Sequence, residues 1–446
     1  MLQKLTSVVV TATRSLCLQK QPPKPALQFF PFSMNKSAKK PRYDGRCKKR
    51  QWEDRRSDKI ETDTDGAKQP KLETLVPRNE NDERLKRRKY VLLLGYSGVD
   101  YYGMQRNPYT RTIEEDLLKA LRKVNLITDN CYNQVQNMQF QRAARTDKGV
   151  SAARQVVSMK MYENVDIEKI NENLPDAIRV FAYRRVTKGF NSKSQCDGRT
   201  YIYITPTVAF AKHGEPASQT DYRLDDETHK KINDVLKKFV GTKNFHNFTS
   251  KKKYNDPSAT RFIKSFECEK PFVRDGVEFV VLKVYGQSFM LHQIRKMVGL
   301  LLAVIKGIGT EETLTQAFTK EKLIVPRAPG LGLVLDFVHY ERYNYRYGED
   351  GMHEKLLWDD VEDKVQEFKE KFIYPTIVNT EIKEESMVNW INNKLARHSY
   401  NEEDEDDDEK DENDSDDEDG NNGKGFNGNV TNEKVTEGEC KVEKLN

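Results

Sequence analysis

The chain has 446 residues, which is long enough for two folded lobes, and 33% of them are charged and 36% hydrophobic. No apolar stretch approaches the length of a membrane span, and the six scattered cysteines have no spacing suited to zinc, so we expect no membrane segment, no metal site and a reducing compartment. The net charge of +5 hides an asymmetry, because residues 402–419 carry −14 and residues 421–446 are neutral. The remainder carries +19, which favours a polyanionic partner over a merely soluble basic surface.

The first 33 residues contain no Asp or Glu and mix basic, apolar and hydroxyl side chains, as mitochondrial transit peptides do. Met34 offers a second start, directly before the basic clusters Lys39–Arg42 and Lys48–Arg50, which are typical of nuclear import signals. We expect a form beginning at Met1 to reach the mitochondrion and a form beginning at Met34 to reach the nucleus. The rest of 34–86 is polar and poor in aromatic residues, which predicts disorder.

An N-terminal lobe is predicted over residues 87–215. Its elements are a buried strand, a helix that starts at a capping box, a strand after Asp147, a second helix and two more strands. They are assigned to Tyr90–Leu94, Thr112–Leu121, Val156–Met159, Ile167–Leu174, Ile178–Val186 and Thr200–Ile204. We infer for this lobe the order strand, helix, strand, strand, helix, strand, which resembles one ferredoxin-like half.

A C-terminal lobe over residues 216–385 repeats the theme. It is predicted to contain a helix over Asp226–Val240, a β-hairpin with a turn at Asp275-Gly276, a long apolar helix that Ser288 caps and Gly307 follows, and a closing strand over Gly332–Tyr340. The fold class is therefore α+β, with two lobes that share one mixed, mainly antiparallel sheet around a central cleft. Residues 386–446 are predicted to be a disordered acidic tail.

Asp147 is the most informative residue, because Arg142, Arg145 and Lys148 surround it in the run Arg142–Ala152. Nearby cations favour the ionised form of a carboxylate, which suits a nucleophile or an electrostatic stabiliser better than a proton donor. The alternative is an ordinary hairpin turn with a surface ion pair.

Arg295 lies on the apolar face of its predicted helix, where a charge is costly unless it is paired. Asp147 is the partner that we predict for it. The alternative is an arginine whose stem packs while its guanidinium reaches water.

Aromatic and basic residues near these two suggest contacts with a nucleic acid. Tyr201 and Tyr203 alternate on one strand face and either could stack on a base, or they pack within the sheet. His246 could bind RNA or satisfy a hydrogen bond in the core. Lys251–Lys253 and Arg261 suit phosphate contacts, although a lysine run can also be a solvated loop.

These residues lie in sequence blocks that resemble the tRNA pseudouridine synthases of the TruA type, in their eukaryotic nuclear and mitochondrial branch. The blocks cover residues 88–380 in the order of that family and are Gln141–Ala152, Gly189–Lys193, Arg199–Tyr201, Gly241–Thr249, Gly286–Gly299 and Ala328–Leu333. The resemblance implies the pseudouridine synthase fold and isomerisation of uridine to pseudouridine in tRNA, in the anticodon stem at positions 27 and 28, with action on other RNAs such as mRNA or snRNA also considered. No cofactor and no metal are expected, because nothing is oxidised and no group is carried in.

The same resemblance assigns roles to individual residues. Asp147 is the catalytic nucleophile, Arg295 pairs with it and Tyr201 packs on the target uracil. The predicted substrate-binding residues are Arg145, Lys148, Phe190, Arg199, His246 and Leu333. Whether Asp147 attacks C1′ or first causes elimination stays open, as does the choice between a monomer and a homodimer. An N-glycosidase and a non-catalytic RNA-binding protein are the alternatives, but a glycosidase would need a second acid.

Overall fold

A sheet of ten strands organises the computed structural model, which describes residues 86–107, 109–212, 214, 218–250 and 252–401. The strands are β1 (Arg87–Tyr96), β2 (Gln141–Arg142), β3 (Ser151–Tyr162), β4 (Ile178–Arg185), β5 (Gly198–Pro206), β6 (Gly241–Asn244), β7 (Thr260–Cys268), β8 (Phe272–Arg274), β9 (Val277–Gly286) and β10 (Leu333–His339). The predictions for residues 1–85, for Lys251 and for residues 402–446 lie outside the described residues. Of the +19 charge, +8 belongs to residues 1–85, so residues 86–401 carry +11.

Helices connect several of these strands, and four of the described helices follow β10 in the chain. The helices are α1 (Ile113–Lys123), α2 (Asp129–Asn133), α3 (Ile167–Glu172), α4 (Asp226–Lys237), α5 (Gln293–Lys306), α6 (Glu311–Gln316), α7 (Glu341–Tyr347), α8 (Glu362–Phe368), α9 (Tyr374–Glu384) and α10 (Ser386–Asn393). Short 3-10 turns cover Val135–Met138, Thr207–Phe210, His246–Phe248, Pro257–Ala259, Asp359–Val361 and Leu395–Arg397, and a π-turn covers Lys369–Ile373.

The strands follow the order β4-β1-β3-β10-β5-β9-β7-β6, while β2 pairs with β3 and β8 with β9. All of these pairs are antiparallel except β3 and β10, which run parallel with Ser151 opposite Val334 and Ala152 opposite Leu335. The prediction of one mixed, mainly antiparallel sheet is therefore confirmed. The parallel pair joins the N-terminal strands to the C-terminal strands.

Local sequence signals account for several of the element ends. The Thr112 side chain accepts a hydrogen bond from Glu115 N at the start of α1, as a capping residue should. Asp275 and Gly276 both have positive φ, 48° and 81°, which is the conformation that a two-residue hairpin turn requires. Gly307 ends α5 with φ of 78°.

The predicted cap of the long helix is wrong. Helix α5 begins at Gln293, directly after His292, which has a left-handed backbone with φ of 59°. Ser288 instead lies in the loop before the helix. The reversal at His292 directs the first turn of α5 toward Asp147, just before β3, which the helical spacing of apolar residues could not indicate.

The predicted start of the acidic tail at residue 386 is also too early. Helix α10 buries Met387 and Ile391, and Leu395 is buried just beyond it. Farther along, Tyr400 O accepts a hydrogen bond from Ile324 N over 2.9 Å. Residues 386–401 are thus part of the folded body, and the acidic run follows them.

Within the described ranges, no helix is long and apolar enough to cross a membrane. No group of three or more His, Cys, Asp or Glu side chains in the same ranges could hold a metal ion. Cys131, Cys196 and Cys268 are buried free thiols.

Candidate active site

A cavity of about 590 Å³ opens where the two halves of the sheet meet. Asp147 lies just before β3, Leu333 begins β10, Tyr201 belongs to β5, and Arg295 lies in the first turn of α5, so the parallel pairing of β3 with β10 brings these elements together. Asp147 is the one carboxylate among the described residues that line the cavity, and seven lining residues are Arg or Lys: Arg142, Arg145, Lys193, Arg199, Lys252, Arg261 and Arg295. Such a concave basic surface attracts a polyanion and concentrates it at the single carboxylate.

The Asp147 carboxylate faces two groups from the start of α5. Its Oδ2 lies 3.7 Å from His292 Nε2 and 3.9 Å from Arg295 Nη1, and its side chain is 24% exposed. The backbone turns sharply after it, because Val150 N donates to Asp147 O and Gly149 has φ of +77°. Asp147 therefore stands at the tip of a turn, partly open to the cavity.

Arg295 both faces Asp147 and holds the loop that leads into β10. Its Nε donates to Ala328 O over 2.8 Å, while Arg295 O accepts from Ala328 N over 3.2 Å. Gly330 stands against the guanidinium, since a Cβ built on it would lie 3.6 Å from Arg295 Cζ. The arginine is 16% exposed, so its charge is largely withdrawn from water beside the carboxylate.

The cations nearest to Asp147 in the sequence are not the ones nearest to it in space. The Arg142 guanidinium pairs with the buried Glu114 over 2.7 Å, and burial raises the pKa of the Glu114 carboxyl. The Lys148 ammonium lies 4.4 Å from the centre of the exposed Tyr102 ring, outside the cavity lining. Arg145 is exposed and lines the cavity.

Two buried side chains that the sequence analysis missed fix the segment before Asp147. Gln155, in β3, donates from Nε2 to Ala144 O over 2.8 Å and accepts from Ala144 N at Oε1 over 3.2 Å. The Tyr96 hydroxyl hydrogen-bonds to Thr146 Oγ1 over 2.8 Å. A glutamine directly before the apolar pair Val156-Val157 was the available signal, because a fully buried amide must be hydrogen-bonded.

The loop after β1 packs directly on the Asp147 segment. A Cβ on Gly98 would lie 2.3 Å from Val150 O, and one on Gly103, where φ is +93°, would lie 2.7 Å from Thr146 O. Met104 N donates to that same Thr146 O over 3.1 Å. Glycine at these two positions permits a backbone approach that places Asp147.

Tyr201 and Tyr203 have different environments although they alternate on one strand. Tyr201 lines the cavity and its ring meets Phe289 edge-on, with 5.3 Å between the ring centres. The Tyr203 hydroxyl donates to Pro329 O over 2.7 Å, which makes it an anchor for the loop before β10. Burial raises the pKa of the Tyr201 phenol, so its hydroxyl stays protonated. Leu333 adds a second apolar surface beside Tyr201.

Arg199 connects two loops of the cavity wall. Its Nε and Nη2 donate to Ala143 O over 2.9 Å and 2.5 Å, and its Nη1 donates to Gln287 O over 3.1 Å. The guanidinium thus ties the segment that carries Asp147 to the loop that precedes α5. This geometry gives Arg199 a positioning role beside the substrate contact predicted for it.

Besides Lys148, two more of the predicted substrate-binding residues do not line this cavity. Phe190 is buried and packs on the rings of Tyr340 and Tyr343, at centre distances of 5.5 Å and 4.7 Å. His246 lines a neighbouring cavity, where its Nδ1 lies 3.2 Å from Asn244 Oδ1, and burial lowers its pKa. Phe190 therefore supports the fold rather than a ligand, and His246 is a largely buried residue at the edge of a second site.

Arg261 and Lys252 extend the basic lining away from Asp147. Burial lowers the pKa of the Arg261 guanidinium, which marks a cation held partly out of water. A phosphate group would provide the counter-charge that such a site favours.

A lone carboxylate turned toward an arginine, beside a tyrosine ring in a basic cavity, defines a site for chemistry on a nucleic acid base. Comparison with known families agrees, because a family model described as tRNA pseudouridine synthase matches residues 235–341. The chain belongs to this family.

The relatives extend over most of the folded chain. The chain is 53% identical over 325 residues to "Pseudouridylate synthase 1 homolog" of Mus musculus, covering 72% of this chain and 77% of the relative. The Homo sapiens protein of that name is also 53% identical, over 70% of this chain and 73% of the relative. A "tRNA pseudouridine synthase 1" of Yarrowia lipolytica is 33% identical and covers 76% and 80%.

Proposed function

We propose that Asp147 is the group through which this chain, a tRNA pseudouridine synthase, isomerises uridine to pseudouridine in tRNA. The observation that carries this assignment is that Asp147 is the one carboxylate among the described residues of a cavity lined by seven Arg or Lys residues. Its approach to Arg295 Nη1, at 3.9 Å, supports an ionised carboxylate held in one orientation.

The reaction breaks the bond between N1 and C1′ of the uridine and forms a bond between C5 and C1′. The proton on C5 is lost and N1 gains a proton, so no oxidant, reductant or external group takes part. Asp147 can serve by covalent attack on C1′ or by promoting elimination, and both routes require a carboxylate beside the sugar.

The target uridine must leave its stack to reach Asp147, which costs a few kcal/mol. Tyr201 and Leu333 offer apolar surfaces for the extruded base, and stacking on an aromatic ring contributes about 1 to 3 kcal/mol. Arg145, Lys252 and Arg261 lie farther out, where contacts with phosphates can offset the rest of the cost.

The lining also argues against the competing functions. An N-glycosidase of this type needs a second carboxyl group to protonate its leaving group, and the described lining residues offer Asp147 alone. A non-catalytic RNA-binding protein would have no need to hold Arg295 beside that carboxylate.

The assignment is tested with tRNA labelled with tritium at C5 of uridine. We expect the wild-type protein to release tritium and form pseudouridine, and Asp147→Asn to do neither while still binding tRNA. Asp100→Asn is the matched control, because Asp100 is an exposed carboxylate outside the cavity. Release of free uracil by the wild type would reject isomerisation, and activity in Asp147→Asn would remove this residue from the mechanism.

We also propose that the sheet is built from two ferredoxin-like halves, the predicted lobes. The strand order supports this. The neighbours β4-β1-β3-β2 and β10-β5-β9-β7 each follow the order fourth, first, third, second when the strands of each set are numbered along the chain. The sequence analysis assigned β5 to the lobe over residues 87–215. In this pattern β5 instead belongs to the second half, because it pairs with β9 and β10. The repeat boundary then falls between β4 and β5.

Three further proposals concern the setting of the enzyme. The basic surface supports binding of other structured RNAs, which tritium release from labelled mRNA or snRNA would test. Either a monomer or a homodimer is compatible with this fold, and light scattering distinguishes them. We propose mitochondrial and nuclear forms from Met1 and Met34, and identical localisation of fluorescent fusions begun at each would contradict this.

A further inference from the structure

A second cavity, of about 770 Å³, adjoins the first and shares Thr249, Lys252 and His292 with it. Seven of the residues that line it are Lys or Arg, including Lys320, Lys322 and Lys394. None of the described lining residues is Asp or Glu. The described lining of the second cavity therefore has a strong excess of positive charge, next to the reaction cavity.

The C-terminal part of the folded chain forms one wall of the second cavity. Trp390, Lys394, Leu395 and His398 all line it. His398 Nε2 and Tyr400 O hydrogen-bond to the O and N of Ile324, over 2.8 Å and 2.9 Å. These two contacts fix the backbone beside the cavity as far as Tyr400.

The sequence that follows is strongly acidic. Residues 402–419, the acidic segment, hold 15 Asp or Glu and one Lys. Eighteen residues can extend over at most about 60 Å, which is more than enough to cross a cavity of this size. The most acidic part of the chain thus begins four residues after His398, which lines a basic cavity whose described lining residues include no carboxylate.

We propose that the acidic segment binds in the second cavity of the same molecule and competes there with RNA. A tethered partner of this kind acts at an effective concentration of about millimolar, so it occupies the site whenever no stronger polyanion is present. Because the two cavities share Lys252 and His292, RNA that enters the reaction cavity and continues past it meets the acidic segment. The segment therefore selects for RNAs whose contacts are strong enough to displace it, a regulation that rests on the proposed RNA substrate.

The first test measures the contact without RNA or catalysis. Carbodiimide cross-linking of the full-length protein should join carboxylates of residues 402–419 to Lys320, Lys322 or Lys394. An equal mixture of ¹⁴N- and ¹⁵N-labelled protein separates links within one chain from links between copies. Links within one chain are expected, whereas links mainly between copies, or to surfaces away from the second cavity, would overturn the proposal.

The second test replaces every Asp and Glu of residues 402–419 with Asn or Gln, which keeps the length of the segment. If the acidic segment covers the cavity nine-tenths of the time, the affinity for a non-substrate RNA hairpin should rise about tenfold at low salt. The matched control carries Glu→Gln at Glu433, Glu437, Glu439 and Glu443, which leaves the acidic segment intact. Equal hairpin affinity in the neutralised variant and the control would overturn the proposal. Loss of the isomerase reaction alone would refute the proposed function but not this contact.

Discussion

Replacing Arg199 with lysine separates the positioning of Asp147 from the binding of phosphate. The guanidinium donates to Ala143 O twice and to Gln287 O once, which connects the two loops. A lysine ammonium keeps the charge but lacks the planar fork that reaches both carbonyls. We therefore expect the Asp147 segment to lose its connection to the loop before α5, while the number of cations in the cavity stays the same.

The expected magnitude follows from the hydrogen bonds lost. Hydrogen bonds from a charged donor contribute about 1.5 to 3 kcal/mol each. Lysine can retain one of the three, and Arg199 is partly exposed, so we take the low end and expect a loss of about 2 to 3 kcal/mol. If this alignment is needed in the transition state, the rate constant of the chemical step falls roughly 30- to 150-fold.

Single-turnover tritium release from 5-labelled tRNA measures that rate, and filter binding at several salt concentrations measures phosphate contacts. Arg199→Lys should leave the salt dependence of affinity unchanged. Lys193→Met is the comparison, because it removes an exposed cation of the same cavity and should lower the salt slope by up to about 0.9. A rate in Arg199→Lys within about twofold of wild type would show that the charge of Arg199, rather than its connection of the two loops, is what the reaction needs.

Three further substitutions test the glycine packing described above and the ionisation of Glu381, a buried carboxyl of α9 that accepts a hydrogen bond from Met387 N. Gly98→Ala should lower the free energy of unfolding by about 3 kcal/mol, because the new Cβ would lie 2.3 Å from a backbone oxygen. Gly149→Ala, at φ of +77° with open space around it, should lower the free energy of unfolding by only about 1 kcal/mol. Equal losses for the two variants in urea unfolding would contradict the steric explanation for Gly98. Burial raises the pKa of Glu381 from 4.5 to about 7, so the wild type should lose stability as pH rises through this interval, when the unfolded chain ionises first. Glu381→Gln should remove that loss and be more stable by about 3 kcal/mol above pH 7, and a difference that does not grow between pH 5 and pH 8 would refute this assignment.

Features set by neighbouring residues could be predicted from the sequence. The cap at Thr112, the turn at Asp275-Gly276 and the end of α5 at Gly307 each depend on side chains or backbone angles within a few residues. The buried face of α1 follows from spacing alone. The cap assigned to Ser288 failed because the chain reverses at His292, in a left-handed conformation that is uncommon for residues other than glycine.

The candidate site was predicted only in part, because many of its contacts depend on tertiary structure rather than on neighbouring residues. A buried arginine needs a partner, and this argument together with the family resemblance indicated Asp147 for Arg295. The contacts of Gln155 with Ala144, and of Tyr96 with Thr146, depend on how the Asp147 segment folds back on two strands. The spacing of residues in the sequence does not indicate how these strands are aligned. The sequence analysis therefore did not identify the residues that hold the Asp147 segment.

The two cavities lead to a prediction about RNA length. An RNA that fills only the reaction cavity meets the acidic segment at Lys252 and His292 alone, whereas a full tRNA can also contact the other cations of the second cavity. The full tRNA gains extra phosphate contacts on displacing the segment, and a short hairpin that carries the target uridine does not. Neutralising residues 402–419 should therefore improve binding of the short hairpin more than binding of the full tRNA. An equal improvement for both would mean that the segment acts through the general charge of the protein rather than by occupying the second cavity.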